Sequence, residues 1–368
     1  MDTGKYGDNI KKTGFFLEYK MGEVLREQGW SVISKRYYVD DVSETVREID
    51  LIGYRTHALR DFTVFTVLLI SCKKSERNLW ALLSRDINPN DPNADWRPVH
   101  VWTNHRALYY MIANTKWRDL YLETGRSQGV ASSLLMPEVE IYAFQEMRKD
   151  GATVQNDREI FDSVTSLMKA QAYELGTLPT RKKDKALYQF NLLSVVDSEL
   201  IRLHFRGDEV EAIPVQNDTY IANYIVHRAR TSARIHFVRA TAFPPVLQDY
   251  ARVHLANCVF FKMLCERYYE DAVRDPRKTA VFKKDFNTRV AWRVAFALRE
   301  HAGSPPPVEH VSLCWDDQDN VLGLEVNVPE EYLSVLNEDR DLRKHTAEAL
   351  NELYRYTGEF RFEWELPF

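Results

Sequence analysis

The sequence predicts an α/β chain that ends in a small α+β unit. Three observations predict it. Near the start, a helical repeat of apolar residues gives way to β-branched runs, Glu48 to Tyr54 and Phe62 to Cys72. In the middle, strand-like and helical runs alternate, the pattern of a sheet covered by helices. At the end, two strand-like runs, a helical stretch and a final strand follow the proline-rich segment Gly303-Ser304-Pro305-Pro306-Pro307.

Taken in order, residues 14–28 predict the first helix. Phe16, Leu17, Met21, Val24 and Leu25 recur at three- and four-residue spacings, and Gly29 stands where a helix stops. Gly22, on the same face as Glu18, would let this helix approach a sheet. Trp30 to Val39, Glu48 to Tyr54 and Phe62 to Cys72 read as strands, the last two an antiparallel pair around a short polar turn. The loop INPNDPNADWRP follows, then a strand over 98–103, a helix over 104–118, a strand over 139–144 and a helix over 157–176. A sheet of four or five strands is expected. The segment GTLPTRKKDK, with Gly176 and Pro179, reads as a boundary.

Beyond it, FNLLSVV, LIRLHF and 210–215 read as strands, 220–230 as a helix and 234–240 as a strand. Residues 247–269 and 274–299 are helical. His254, Cys258 and Cys265 supply three possible ligands where structural zinc takes four, so core packing is expected there. After the linker at 303–307, strands over 308–315 and 321–328 flank the turn DDQDN, helices cover 333–356 and EFRFEWEL closes the chain. The units expected are 1–176, a basic accessory α/β region 186–300 and an acidic α+β unit 308–368.

In a strand pair, side chains alternate between faces. Glu48, Asp50 and Ile52 share one face of the first strand; Leu69, Ser71 and Lys73 share one face of the second. An acid and a lysine at adjoining strand ends are the minimal set for metal-assisted phosphodiester hydrolysis. The helix glutamate Glu18, then Asp50, then Ser71-Cys72-Lys73, resemble the catalytic core of the PD-(D/E)XK restriction-endonuclease-like nucleases. Glu18 lies eleven residues before Gly29, as in the Mrr-like branch, and CKKS is followed by a tryptophan, Trp80. The resemblance covers residues 13–110.

That resemblance implies a restriction-endonuclease-like N-terminal core and a Mg²⁺-dependent endonuclease acting on DNA, with RNA as an alternative. It implies Asp50 and the Cys72 backbone carbonyl as metal ligands, Lys73 as the group that orients the attacking water, Glu18 as an acid tuning the site, and Lys74 beside it as a nucleic-acid contact. The family works mostly in prokaryotic restriction and anti-phage defence. One departure is Ser71, which stands where the family carries an acid. A hydroxyl is a poorer Mg²⁺ ligand than a carboxylate, and Glu48 is the available compensating acid. The alternative is an inactive nuclease-fold module that binds nucleic acid or serves as an assembly subunit.

The net charge of −5 is unevenly spread. Residues 1–170 carry 23 basic and 24 acidic side chains, 171–300 carry 21 and 15, and 301–368 carry 5 and 15. The acid-free window 219–248 holds Arg228, Arg230, Arg234 and Arg239, the expected nucleic-acid patch of the second half. The acidic end suggests a protein partner, and self-association is a further possibility. Four scattered cysteines suggest a reducing cytoplasm. No apolar run is long enough for a membrane span, and the N-terminal residues lack the apolar core of a signal peptide.

Overall fold

A computed structural model describes residues 3–40, 44–130, 133–302 and 307–365. In chain order the elements are α1 (Gly4–Ile10), α2 (Gly14–Glu27), β1 (Ser31–Val39), β2 (Val46–Ala58), β3 (Thr63–Lys74), β4 (Asn78–Asp86), β5 (His100–Thr103), α3 (Arg106–Asn114), α4 (Trp117–Ser127), β6 (Val139–Arg148) and α5 (Arg158–Arg181). There follow β7 (Ala186–Asp197), β8 (Leu200–Arg206), β9 (Glu209–Val215), β10 (Asn217–Val226), β11 (Ala229–Arg239), α6 (Phe243–Tyr269) and α7 (Pro276–Ala302). The chain closes with β12 (Val311–Asp316), β13 (Val321–Val326), α8 (Leu333–Glu338), α9 (Arg340–Tyr354) and β14 (Phe360–Trp364).

The α/β class is observed, with two compact units: residues 1–105 with 116–260, and residues 106–115 with 261–368. The first holds two mixed sheets. The larger has seven strands in the order β1-β2-β3-β7-β11-β10, with β5 paired to β7. The smaller runs β6-β4-β8-β9. In the second unit, β12 and β13 form the expected hairpin and β14 joins β13 in parallel. Among the described residues, no helix is long and apolar enough to cross a membrane.

The β1–β2–β3 meander is antiparallel, and β7 then adds to β3 in parallel along its whole length, from Thr63↔Ala186 to Lys74↔Asp197. The crossover passes through α5, which buries Ile160, Val164, Leu167 and Met168 in one cluster with Val67, Leu69, Phe190 and Leu192. The segment GTLPTRKKDK is therefore less of a linker than its composition suggests. Helix α5 continues through Pro179 to Arg181, and β7 enters the middle of the sheet only five residues later. Proline is tolerated there because the preceding turns are anchored by buried residues, up to Leu178. Residues 303–306 of the proline-rich linker lie outside the described residues.

Other expectations differ from the structure: the sheet expected to have four or five strands has seven, because β7, β10 and β11 join it from beyond residue 185. The helix expected over 104–118 is two helices, α3 and α4. The helix expected over 220–230 is a β-hairpin, with Asn217↔Val238 through Val226↔Ala229 paired. Its two-residue turn is His227-Arg228, both at positive φ (49° and 63°). That is the backbone of a type I′ turn, usually signalled by Asn-Gly or Asp-Gly. Without those residues, the β-branched and aromatic run Tyr220-Ile221, Tyr224-Ile225-Val226 was the only remaining strand signal.

Candidate functional site

The meander and α2 bring the candidate residues together. Helix α2 ends at Gly29, whose φ of +75° suits glycine, and the Trp30 N–H donates to the Leu25 carbonyl at 2.9 Å, as in a C-terminal helix cap. The close approach of helix to sheet falls on Gly53 rather than Gly22. A Cβ on Gly53 would lie 3.0 Å from the Leu25 Cδ2, whereas one on Gly22 would meet Leu51 at an ordinary 3.8 Å. With α2 seated on β2, Glu18 stands close enough to Asp50, Glu48 and Lys73 to feel the charge of each.

In β2 and β3, Leu51 pairs with Ile70; continued by one residue, that register sets Asp50 opposite Ser71. Opposed side chains lie on one face. Asp50 is half-buried, and the Cys72 N–H donates to its Oδ2 at 2.6 Å. Burial raises the Asp50 carboxyl above the usual range; the Cys72 N–H, Lys73 and a hydrogen bond from the Ser71 hydroxyl pull the other way, and Glu48 adds to the rise. Ser71 is itself buried, so the residue in the place of the expected acid serves Asp50 as a donor.

Glu18 is half-buried. Burial, with the like charges of Asp50 and Glu48, pushes its carboxyl up to about 7 against the opposing pull of Lys73. The buried Cys72 thiol is pushed well up by burial, then by Asp50 and Glu18, and stays protonated. Thus Glu18, Glu48, Asp50 and Lys73 share one electrostatic neighbourhood. Among the described residues, no group of three or more His, Cys, Asp or Glu side chains is placed to hold a metal ion.

Lys73 brings in a residue that sequence reasoning missed. Its Nζ lies 3.3 Å from the Glu159 Oε2, at the first turn of α5. Glu159 is exposed, with a side chain 58% accessible. Such a pair contributes at most about 1 kcal/mol and exchanges readily for another anion. The only sequence signal was an acid at a helix start, which the helix dipole alone explains. Lys74 donates to the Lys11 carbonyl at 3.1 Å and lies 3.8 Å from Asp197.

The four arginines of the acid-free window do not form one patch. Arg228 sits in the hairpin turn and Arg230 beside it, both exposed. Arg239 is at the far end of β11, about 30 Å along the strand, and donates to the Ser198 carbonyl at 3.2 Å. Arg234 turns inward, and its guanidinium binds the carbonyls of Ser133 (3.4 Å), Leu134 (3.1 Å) and Leu135. Burial lowers it to about 10. Both faces of β11 are covered around it: Ile235 and Phe237 are buried on one, His236 and Val238 on the other. Arg234→Ala is therefore expected to cost about 1–3 kcal/mol of stability by stranding those carbonyls. Arg228→Ala with Arg230→Ala should leave stability unchanged and reduce the salt slope of nucleic-acid binding. Urea unfolding and fluorescence anisotropy across a salt series measure the two effects.

His254, four residues before Cys258, shares a 2.9 Å hydrogen bond with Thr66, and burial lowers it to about 4. This is the core role expected of it. In the acidic end, Asp316 and Asp319 lie 2.8 and 2.7 Å from Arg361, so part of the acid excess is paired internally. Comparison with known protein families, with curated proteins and with solved structures finds no match.

Proposed function

We propose that this chain is a Mg²⁺-dependent, PD-(D/E)XK-like endonuclease acting on DNA. The observation that carries the proposal is the gathering of Glu18, Glu48, Asp50 and Lys73 around the adjoining ends of β2 and β3, where burial first, and then the charges of Asp50 and Glu48, push the Glu18 carboxyl up to about 7. The half-buried Glu18 and Asp50, with the exposed Glu48, are three acids against the one amine of Lys73, an excess of negative charge that a cation would offset. The donors are hard oxygens and the one nearby thiol stays protonated, a set that suits Mg²⁺ better than a thiophilic metal. Asp50 would hold the ion, with the Cys72 carbonyl and Glu48 as further ligands. When bound, Mg²⁺ supplies Lewis-acid charge stabilisation for the phosphate.

The chain's own residues do the rest. The Cys72 N–H, at 2.6 Å, holds the orientation of Asp50, and the Ser71 hydroxyl, on the neighbouring strand, lowers its carboxyl. Lys73, released from its exposed partner Glu159, orients the attacking water and faces the developing negative charge. Glu18, near neutrality, can accept a proton at physiological pH. A role in prokaryotic restriction or anti-phage defence belongs to the same proposal, by family resemblance.

A second reading, a catalytically silent module that binds nucleic acid, is favoured by one observation. The Ser71 hydroxyl already serves Asp50, so the site has one carboxylate fewer than the family pattern. Plasmid and RNA cleavage with Mg²⁺, Mn²⁺ or EDTA separates the readings. Metal-dependent nicking supports the first; nucleic-acid binding without cleavage in either metal supports the second.

The raised Glu18 carboxyl gives the site a pH signature. Its folded value of about 7 lies above the ordinary 4.5. Without metal, ionising Glu18 therefore costs stability above pH 7, and that cost disappears as pH falls through 7 towards 4.5. Metal binding favours the ionised form, so affinity should rise with pH up to about 7 and then level, with proton release below 7. In Glu18→Gln that dependence should vanish. Calorimetric Mn²⁺ titrations at pH 6 and 8 in two buffers of different ionisation enthalpy read it directly, and a pH-independent wild type would remove Glu18 from the site.

A further inference from the structure

Away from these residues, a cavity of about 250 Å³ lies between the C-terminal half of α5 and the sheet. Its polar wall is an arginine pair joined through one carboxylate. Arg36 Nε lies 2.9 Å from Glu174 Oε1, and Arg181 lies 2.5 Å from Glu174 Oε2. Glu174 is buried, with its side chain only 9% accessible, while Arg36 and Arg181 keep 35% and 39%. Tyr54, Phe65 and Tyr188 supply the aromatic wall. Phe65 and Tyr188, opposed on β3 and β7, stack with centroids 4.2 Å apart and planes within 3°.

We infer that this cavity binds a small planar aromatic anion, independently of the nuclease reading. Two guanidiniums against one carboxylate leave a net positive charge. Each guanidinium has five N–H donors, and the contacts to Glu174 use only part of them. The carboxylate fixes both forks in place, so little side-chain freedom is lost when an anion binds. Phosphate and carboxylate are the anions that such forks grip in pairs. The aromatic wall adds a surface for a flat ring at the usual stacking separations. The volume is just below the range for drug-sized ligands, which limits the ligand to about one ring system with its anionic group. An aryl phosphate and an aromatic carboxylate both present this chemistry.

Calorimetry on the full chain tests it, with phenyl phosphate, 4-hydroxybenzoate and inorganic phosphate as separate probes. At least one aromatic probe should bind at least tenfold more tightly than inorganic phosphate; which one does so identifies the phosphate or carboxylate source. Arg181→Met and Tyr188→Leu should each weaken that binding at least tenfold while melting like wild type. Should Tyr188→Leu fail to fold, hydrogen exchange of the wild-type chain replaces it, with ligand protection expected at 33–36 and 174–181. Three results would overturn the inference. These are no aromatic probe binding at millimolar concentration, phosphate binding as tightly as every aromatic probe, or affinity unchanged in Arg181→Met with protection falling elsewhere.

Discussion

Asp50→Asn and Lys73→Ala are each expected to lower Mg²⁺-dependent plasmid cleavage by at least about 100-fold, the loss that follows removal of one preorganised charge-stabilising group. Asparagine is the cleaner change at position 50. Its side-chain oxygen still accepts from the Cys72 N–H, whereas alanine would strand that buried donor and mix a folding defect with the catalytic one. Lys73→Ala removes the only cation among the four groups that share the charge neighbourhood, so the water is no longer oriented and Glu18 loses the one charge opposing its rise. Ser71→Ala should cost less than tenfold, because the hydroxyl reaches the reaction only through Asp50. Glu159→Ala is the informative control. It deletes an exposed partner of Lys73 and frees the amine, so activity should hold or increase. Cleavage rates with supercoiled DNA, beside thermal melts of each variant, decide the matter. If Asp50→Asn cleaves like wild type, the activity does not belong to this site.

How much of this was legible depended on where the information lay. The helix before Gly29 and the three strands after it follow from local pattern: α2 buries one face through Leu17, Met21 and Leu25, its stop residue is glycine at positive φ, and the strands are runs rich in β-branched residues. The pairing of β3 with β7 was not legible. It joins residues more than 100 apart across the inserted strand β4, strand β6 and the α3–α4 region, and periodicity carries no partner information. The His227-Arg228 turn hid a hairpin because neither residue advertises positive φ. Asp50 and Lys73 were readable from alternation within two adjacent strands. Glu159 was not, since only the α5 crossover brings it to Lys73. Arg234 shows the opposite failure. A basic residue in an acid-free window has the composition of a nucleic-acid contact, yet its guanidinium is spent on three carbonyls.

Ser71→Glu should make the protein's stability depend on metal. Ser71 is 3% exposed and beside Asp50, so a carboxylate there brings a second buried negative charge to the strand pair. Without metal, it should destabilise the fold by about 3 kcal/mol, the scale for an uncompensated buried charge, partly relieved by Lys73 two residues on. It should also push Glu18 and Asp50 further up, which extends the loss of stability above pH 7. A bound divalent cation reverses each effect, because the added oxygens complete an anionic donor set. At a free metal concentration one hundred times the dissociation constant, binding alone restores about 2.7 kcal/mol. Urea unfolding of Ser71→Glu in EDTA and in Mg²⁺ should therefore differ by most of the destabilisation, while wild type shifts less. Cleavage by the variant should exceed that of wild type under the same metal. A Ser71→Glu protein that is destabilised equally in EDTA and in Mg²⁺, and cleaves nothing, would show that these carboxylates do not converge on a cation, and the silent binding module would then be the better reading.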